Sequence, residues 1–112
     1  MSQITTHILD TTRGRPVEGV TIILFQQHPE EWRELSIGTT NKDGRVTDLL
    51  KKGAVLEFGV YKLRFEIQSY FETQATLSFY PFIEIVFNID SEEYYHVPLL
   101  LNPFGYSTYR GS

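Results

Sequence analysis

A chain of 112 residues is the size of one domain, expected to span 1–112, and a hydrophobic share of 41% with 14% aromatics suffices for a core without metals or disulfides. The absence of cysteine excludes a disulfide scaffold, a cysteine nucleophile and a thiolate zinc site. The 10 basic and 14 acidic residues are interspersed for a net charge of −4, so no basic stripe offers itself to nucleic acid.

The opening Met1-Ser2-Gln3-Ile4-Thr5-Thr6-His7 has neither the basic nor the apolar region of a signal peptide. No apolar run approaches the roughly 20 residues that cross a bilayer, so a soluble cytoplasmic protein with no membrane partner is expected. Strands are predicted at 4–10, 20–25, 32–40 and 46–50, parted by turn signals at Arg13-Gly14-Arg15-Pro16 and Asn41-Lys42-Asp43-Gly44. After Lys52-Gly53 the pattern sharpens. Over 60–67, Tyr61, Leu63, Phe65 and Ile67 alternate with Lys62, Arg64 and Glu66, which gives one buried and one wetter face. Residues 69–76 lack a period of two, and Ser69 with Glu72 has capping-box spacing, so a short helix capped by Ser69 is predicted. Alternation returns over 82–89, with Ile83, Ile85, Phe87 and Ile89 opposite Glu84 and Asn88, and further strands are expected at 94–101 and, beyond Asn102-Pro103, at 106–110. Many short strands with regular turns imply an all-β sandwich or barrel.

Three histidines, His7, His28 and His96, are the side chains suited to proton transfer near neutrality. His7 shares a strand face with Thr5 and Leu9, opposite the more apolar Ile4 and Ile8. His96 shares one with Tyr94, Pro98 and Leu100, and both faces of that strand are apolar enough to be buried, as they would be where the second packs on another subunit. Parity alone neither identifies a base nor brings the two together. His28, before Pro29-Glu30-Glu31, reads as an exposed loop residue. Arg45 follows the Asp43-Gly44 turn, either as a surface charge or as a guanidinium held ready for a planar, carbonyl-rich anion. Ser107-Thr108-Tyr109-Arg110-Gly111-Ser112 lacks the character of a disordered tail, and no Walker A, dinucleotide, HExxH or GxSxG pattern is present.

The run from Ile4 to Pro16, Asn41-Lys42-Asp43-Gly44-Arg45, Gly59-Val60-Tyr61-Lys62, Tyr80-Pro81, His96-Val97-Pro98-Leu99-Leu100-Leu101 and Tyr109-Arg110-Gly111-Ser112 together resemble the 5-hydroxyisourate hydrolase family over essentially the whole chain. Gly59-Val60-Tyr61-Lys62 and Pro103-Phe104-Gly105-Tyr106-Ser107-Thr108 are also similar to transthyretin, a hormone-binding relative of the same fold. The resemblance implies a transthyretin-like sandwich of two four-stranded sheets with one short helix. It also implies a homotetramer, built as a dimer of dimers around a central channel, and hydrolysis of 5-hydroxyisourate to 2-oxo-4-hydroxy-4-carboxy-5-ureidoimidazoline without a cofactor or metal. The family's catalytic residues fall on His7 and His96, and its substrate-binding residues on Arg45, Tyr109, Arg110 and Ser112. Many relatives read His-Tyr-His where this chain has Tyr94-Tyr95-His96. Either histidine could serve as the base, with His7 favoured. The alternatives are a carrier that holds a small aromatic ligand without chemistry, a structural or interaction protein, and, more weakly, a metal enzyme, for which two histidines supply too few ligands.

Overall fold

The computed structural model describes residues 2–111, so the expectation for Ser112 lies outside the described residues. In chain order the elements are β1 (Ile4–Asp10), β2 (Arg15–Pro16), β3 (Thr21–Gln27), β4 (Trp32–Thr39), β5 (Arg45–Val46), β6 (Gly59–Phe65), α1 (Gln68–Thr73), β7 (Ile83–Ile89), β8 (Tyr95–Asn102) and β9 (Gly105–Thr108). One sheet runs β4-β3-β6-β7 and is antiparallel throughout. The other is built on β1, with β8 and then β9 on one side and the two-residue pieces β2 and β5 on the opposite edge.

The expected pair of four-stranded sheets is therefore modified in the second. β5 pairs with Thr6 and His7, and β2 with Leu9 and Asp10, so two short pieces share the outer edge of β1 end to end and this sheet counts five strands. Position 15–16, expected only as part of a turn, is one of these pieces, while the strand expected at 46–50 is reduced to Arg45–Val46. After Val46 the chain leaves the sheet and buries Val46 and Leu49 in the core instead of continuing the ladder.

Alternation drives the layers together. Ile4, Ile8, Val97, Leu99 and Leu101 from one sheet meet Ile22, Leu24, Tyr61, Leu63, Phe65 and Ile83 from the other, all buried. Lys62, expected on the wetter face of its strand, is 9% exposed. Its ammonium lies 4.9 Å from the centre of the Phe25 ring and 4.4 Å from that of Trp32, with Glu84 at 3.2 Å, so cross-strand aromatics cover its stem while a carboxylate balances its charge.

Helix α1 begins earlier than expected and without the capping box. Ile67 occupies the N-cap position, no side chain caps the helix, and Ser69 lies within the first turn, exposed. Burial sets the phase instead: Ile67 and Phe71, one turn apart, both enter the core. The Tyr70 hydroxyl donates to buried Asp10 at 2.6 Å and ties the helix to the end of β1.

The pairing that matters most for function is β1 with β8. It is parallel, with Thr5 opposite His96 and His7 opposite Pro98. A parallel pair needs a long crossover, and here almost the whole chain lies between the two strands, so residues 89 positions apart become neighbours.

Candidate active site

The outer face of this sheet, turned away from the core, gathers three of the residues singled out above. His7 and His96 are half-buried, and their rings meet edge to edge, with centroids 4.9 Å apart and planes inclined by 20°. His7 Nδ1 and His96 Nε2 share a hydrogen bond of 2.7 Å. His96 Nδ1 is 2.8 Å from the hydroxyl of Thr5. His96 thus has both ring nitrogens engaged, whereas His7 Nε2 has no hydrogen-bond partner among the described residues.

Arg45 reaches this face through its turn. Asn41 Oδ1 accepts from the backbone of Asp43 and Arg45 at 2.9 and 3.1 Å, an Asx-type closure. Gly44 takes φ +74°, and its carbonyl accepts from Ile8 N at 2.9 Å. A Cβ on residue 44 would stand 2.6 Å from the Ile8 carbonyl oxygen, so only glycine lets the turn approach β1 this closely. The next residue is then Arg45, the cross-strand partner of His7 and on the same face, exposed to solvent.

The electrostatics follow from this grouping. Burial, then the charge that His96 would carry, then Arg45 hold the pKa of His7 below the ordinary imidazole value. Burial and Arg45 lower that of His96, while hydrogen bonding to Thr5 works in the opposite sense. Both shifts favour the neutral rings, the state in which an imidazole nitrogen can accept a proton.

The C-terminal residues take two directions. Gly111 bridges His96, its N–H donating to the His96 carbonyl at 2.7 Å, and a Cβ there would come within 2.7 Å of His96 Cδ2. Arg110 lies on the opposite side, its guanidinium 4.3 Å over the centre of the Tyr95 ring and 3.6 Å from Glu93. Tyr109 is exposed and lines a hollow with Arg110, Tyr95, Val97 and the β7 edge. Within one chain, then, His7, His96 and Arg45 come together, whereas Tyr109 and Arg110 stand apart from them. His28 is on the other sheet, half-buried in the β3–β4 connection and 3.1 Å from Gln26 Oε1. Thr5 and Gly111 are contacts of the pair that were not singled out as site residues, although Thr5 shares the face of His7 and Gly111 lies within Tyr109-Arg110-Gly111-Ser112.

Among the described residues no three His, Asp or Glu side chains converge as a metal site requires. No described helix is long and apolar enough to cross a membrane.

A family model described as HIUase/Transthyretin family matches residues 4–111. The chain is 43% identical to the 5-hydroxyisourate hydrolase of Mus musculus over 99% of its own length and 96% of that protein's. The structure of Klebsiella pneumoniae 5-hydroxyisourate hydrolase superposes with a TM-score of 0.85 at 36% identity, covering 97% of this chain and 98% of that one. Sea bream transthyretin in complex with thyroxine superposes with a TM-score of 0.89 at 27% identity, covering 98% and 95%.

Proposed function

The chain belongs to the HIUase/transthyretin family, and from that premise we propose that it hydrolyses 5-hydroxyisourate to 2-oxo-4-hydroxy-4-carboxy-5-ureidoimidazoline in urate degradation, in the cytoplasm. Similarity of fold does not separate this reading from a carrier, because the transthyretin TM-score of 0.89 is no lower than the hydrolase value of 0.85. Sequence identity favours the hydrolase, at 43% and 36% against 27%. The observation that carries the reading is the 2.7 Å hydrogen bond between two histidines beside Arg45, a set with no use in a passive apolar binding site.

Ring opening at a carbonyl needs a water, a base and a donor for the developing oxyanion. The open Nε2 of His7 supports His7 as the base. It takes a proton from water while the water oxygen bonds to the ring carbonyl carbon. The resulting oxyanion is held by Arg45, whose planar fork suits a flat, carbonyl-rich ring. Collapse then breaks the ring carbon–nitrogen bond, and the proton passes from His7 to the leaving nitrogen, so that one water is consumed and no cofactor is used. His96 steadies the imidazolium formed on His7. Tyr109, Arg110 and Ser112 complete the walls and orientation of the pocket, and a second copy of the chain encloses it. We infer a homotetramer, a dimer of dimers, from the half-buried outer face bearing Leu9 and Leu100 and from the open edges of β7 and β9.

The reading is tested by generating 5-hydroxyisourate in place with urate oxidase and following its ultraviolet absorption. The expected result is faster decay when the chain is added. Unchanged decay together with saturable binding of an aromatic ligand would favour the carrier.

A further inference from the structure

One polar group against the histidine pair takes no part in the chemistry above. Thr5 stands opposite His96 across the β1–β8 ladder, with its hydroxyl 2.8 Å from His96 Nδ1. A neutral imidazole carries one N–H and one lone pair, and the bond made at one nitrogen fixes the role of the other. With His96 bonded at both nitrogens and His7 at one, the tautomers of the two rings are coupled from Thr5 to the open nitrogen of His7.

Two arrangements satisfy the chain. Where Thr5 accepts from His96 Nδ1–H, His96 Nε2 accepts from His7 Nδ1–H, and His7 Nε2 faces outward as a lone pair. Where Thr5 donates, each role reverses and His7 presents an N–H. Only the first makes His7 a base. Because Nε2 is turned to His7, Nδ1 is the His96 nitrogen that meets Thr5. Arg45 is the charged group acting on both rings, and His7 and His96 are the titratable groups facing one another, while the main chain of Gly111 closes the other side of His96.

We propose that Thr5 is a positioning residue: by accepting from His96 Nδ1–H it holds the Thr5–His96–His7 chain in the one tautomer that leaves His7 Nε2 free to take a proton from water. The inference rests on the hydrolase reading but predicts a protonation pattern that exists without substrate. Nitrogen-15 NMR of histidine-labelled full-length protein near neutral pH should find Nδ1 protonated and Nε2 bare on both His7 and His96. Thr5→Val, which keeps shape and removes the acceptor, should disturb that pattern and lower kcat by about tenfold, the worth of one intramolecular hydrogen bond. KM should change little, and Thr5→Ser should restore both the spectrum and most of the rate. Protonated Nε2 on His7 in the unmodified protein would overturn the proposal, even if Thr5→Val failed to fold. So would a Thr5→Val protein with unaltered tautomers and activity. If the NMR pattern is found but the unmodified chain does not accelerate 5-hydroxyisourate decay, the hydrolase reading fails while the hydrogen-bond order stands.

Discussion

At the scale of single residues, the site is two imidazoles whose neutral forms are favoured by burial and by an arginine. Both folded pKa values lie below the ordinary one, so the sign of the stability effect is fixed. In the unfolded chain each ring titrates near about 6.5, and as pH falls through that value the unfolded state takes up protons that the folded pair refuses. Stability contributed by these groups is therefore complete above about pH 6.5 and declines below it, which thermal melts between about pH 7.5 and 5.5 should register as a falling Tm. A His7→Asn, His96→Asn double variant should show a shallower fall, and equal slopes would contradict the assignment. Arg45 gives a second prediction. Arg45→Lys keeps the charge but loses the planar fork, so kcat/KM should drop by about tenfold or more with the fold intact, as steady-state kinetics beside circular dichroism would reveal. The residue types were legible in the sequence, as was the strand face of each histidine. The hydrogen bond between them was not, because a period of two reports a face and never a partner strand.

At the scale of elements, glycines decide how close the site's supports can come. The Asn41–Arg45 turn presses Gly44 against β1, at φ +74° and with no room for a Cβ beside the Ile8 carbonyl. Gly44→Ala should destabilise the fold by at least about 2 kcal/mol in urea titration, combining left-handed strain with a backbone clash, and should cut activity in whatever folds by moving Arg45. Gly111→Ala differs, since the obstacle is the His96 ring itself. The ring or the terminal segment must give way, so turnover should fall by about tenfold while Tm changes by only about a degree or two; full activity would remove Gly111 from the account. The turn at Asn41-Lys42-Asp43-Gly44 announced itself through residue types that close turns. Helix α1 did not announce its start, because the burial of Ile67 and Phe71 outweighed a polar capping pattern. Lys62 likewise read as a surface residue, since the Phe25 and Trp32 rings that cover it come from other strands.

At the scale of the molecule, short strands between recurring turn signals, with clear alternation over 60–67 and 82–89, made an all-β sandwich or barrel readable, and the family resemblance supplied its topology. What neither alternation nor turns could disclose is the parallel β1–β8 contact that closes the chain on itself and joins His7 to His96. The face they occupy is open to solvent in a single copy, and the proposed assembly covers it. Light scattering on the purified chain should give four times the chain mass, and a monomer at full activity would contradict an enclosed site between subunits. The most direct measurement compares the decay of enzymatically generated 5-hydroxyisourate with the unmodified chain and with His7→Asn at equal concentration. The unmodified chain should accelerate the loss of absorbance, and His7→Asn should forfeit at least about a hundredfold of that acceleration while melting at nearly the same temperature. Equal rates for the two proteins would contradict the claim that the histidine pair performs the hydrolysis.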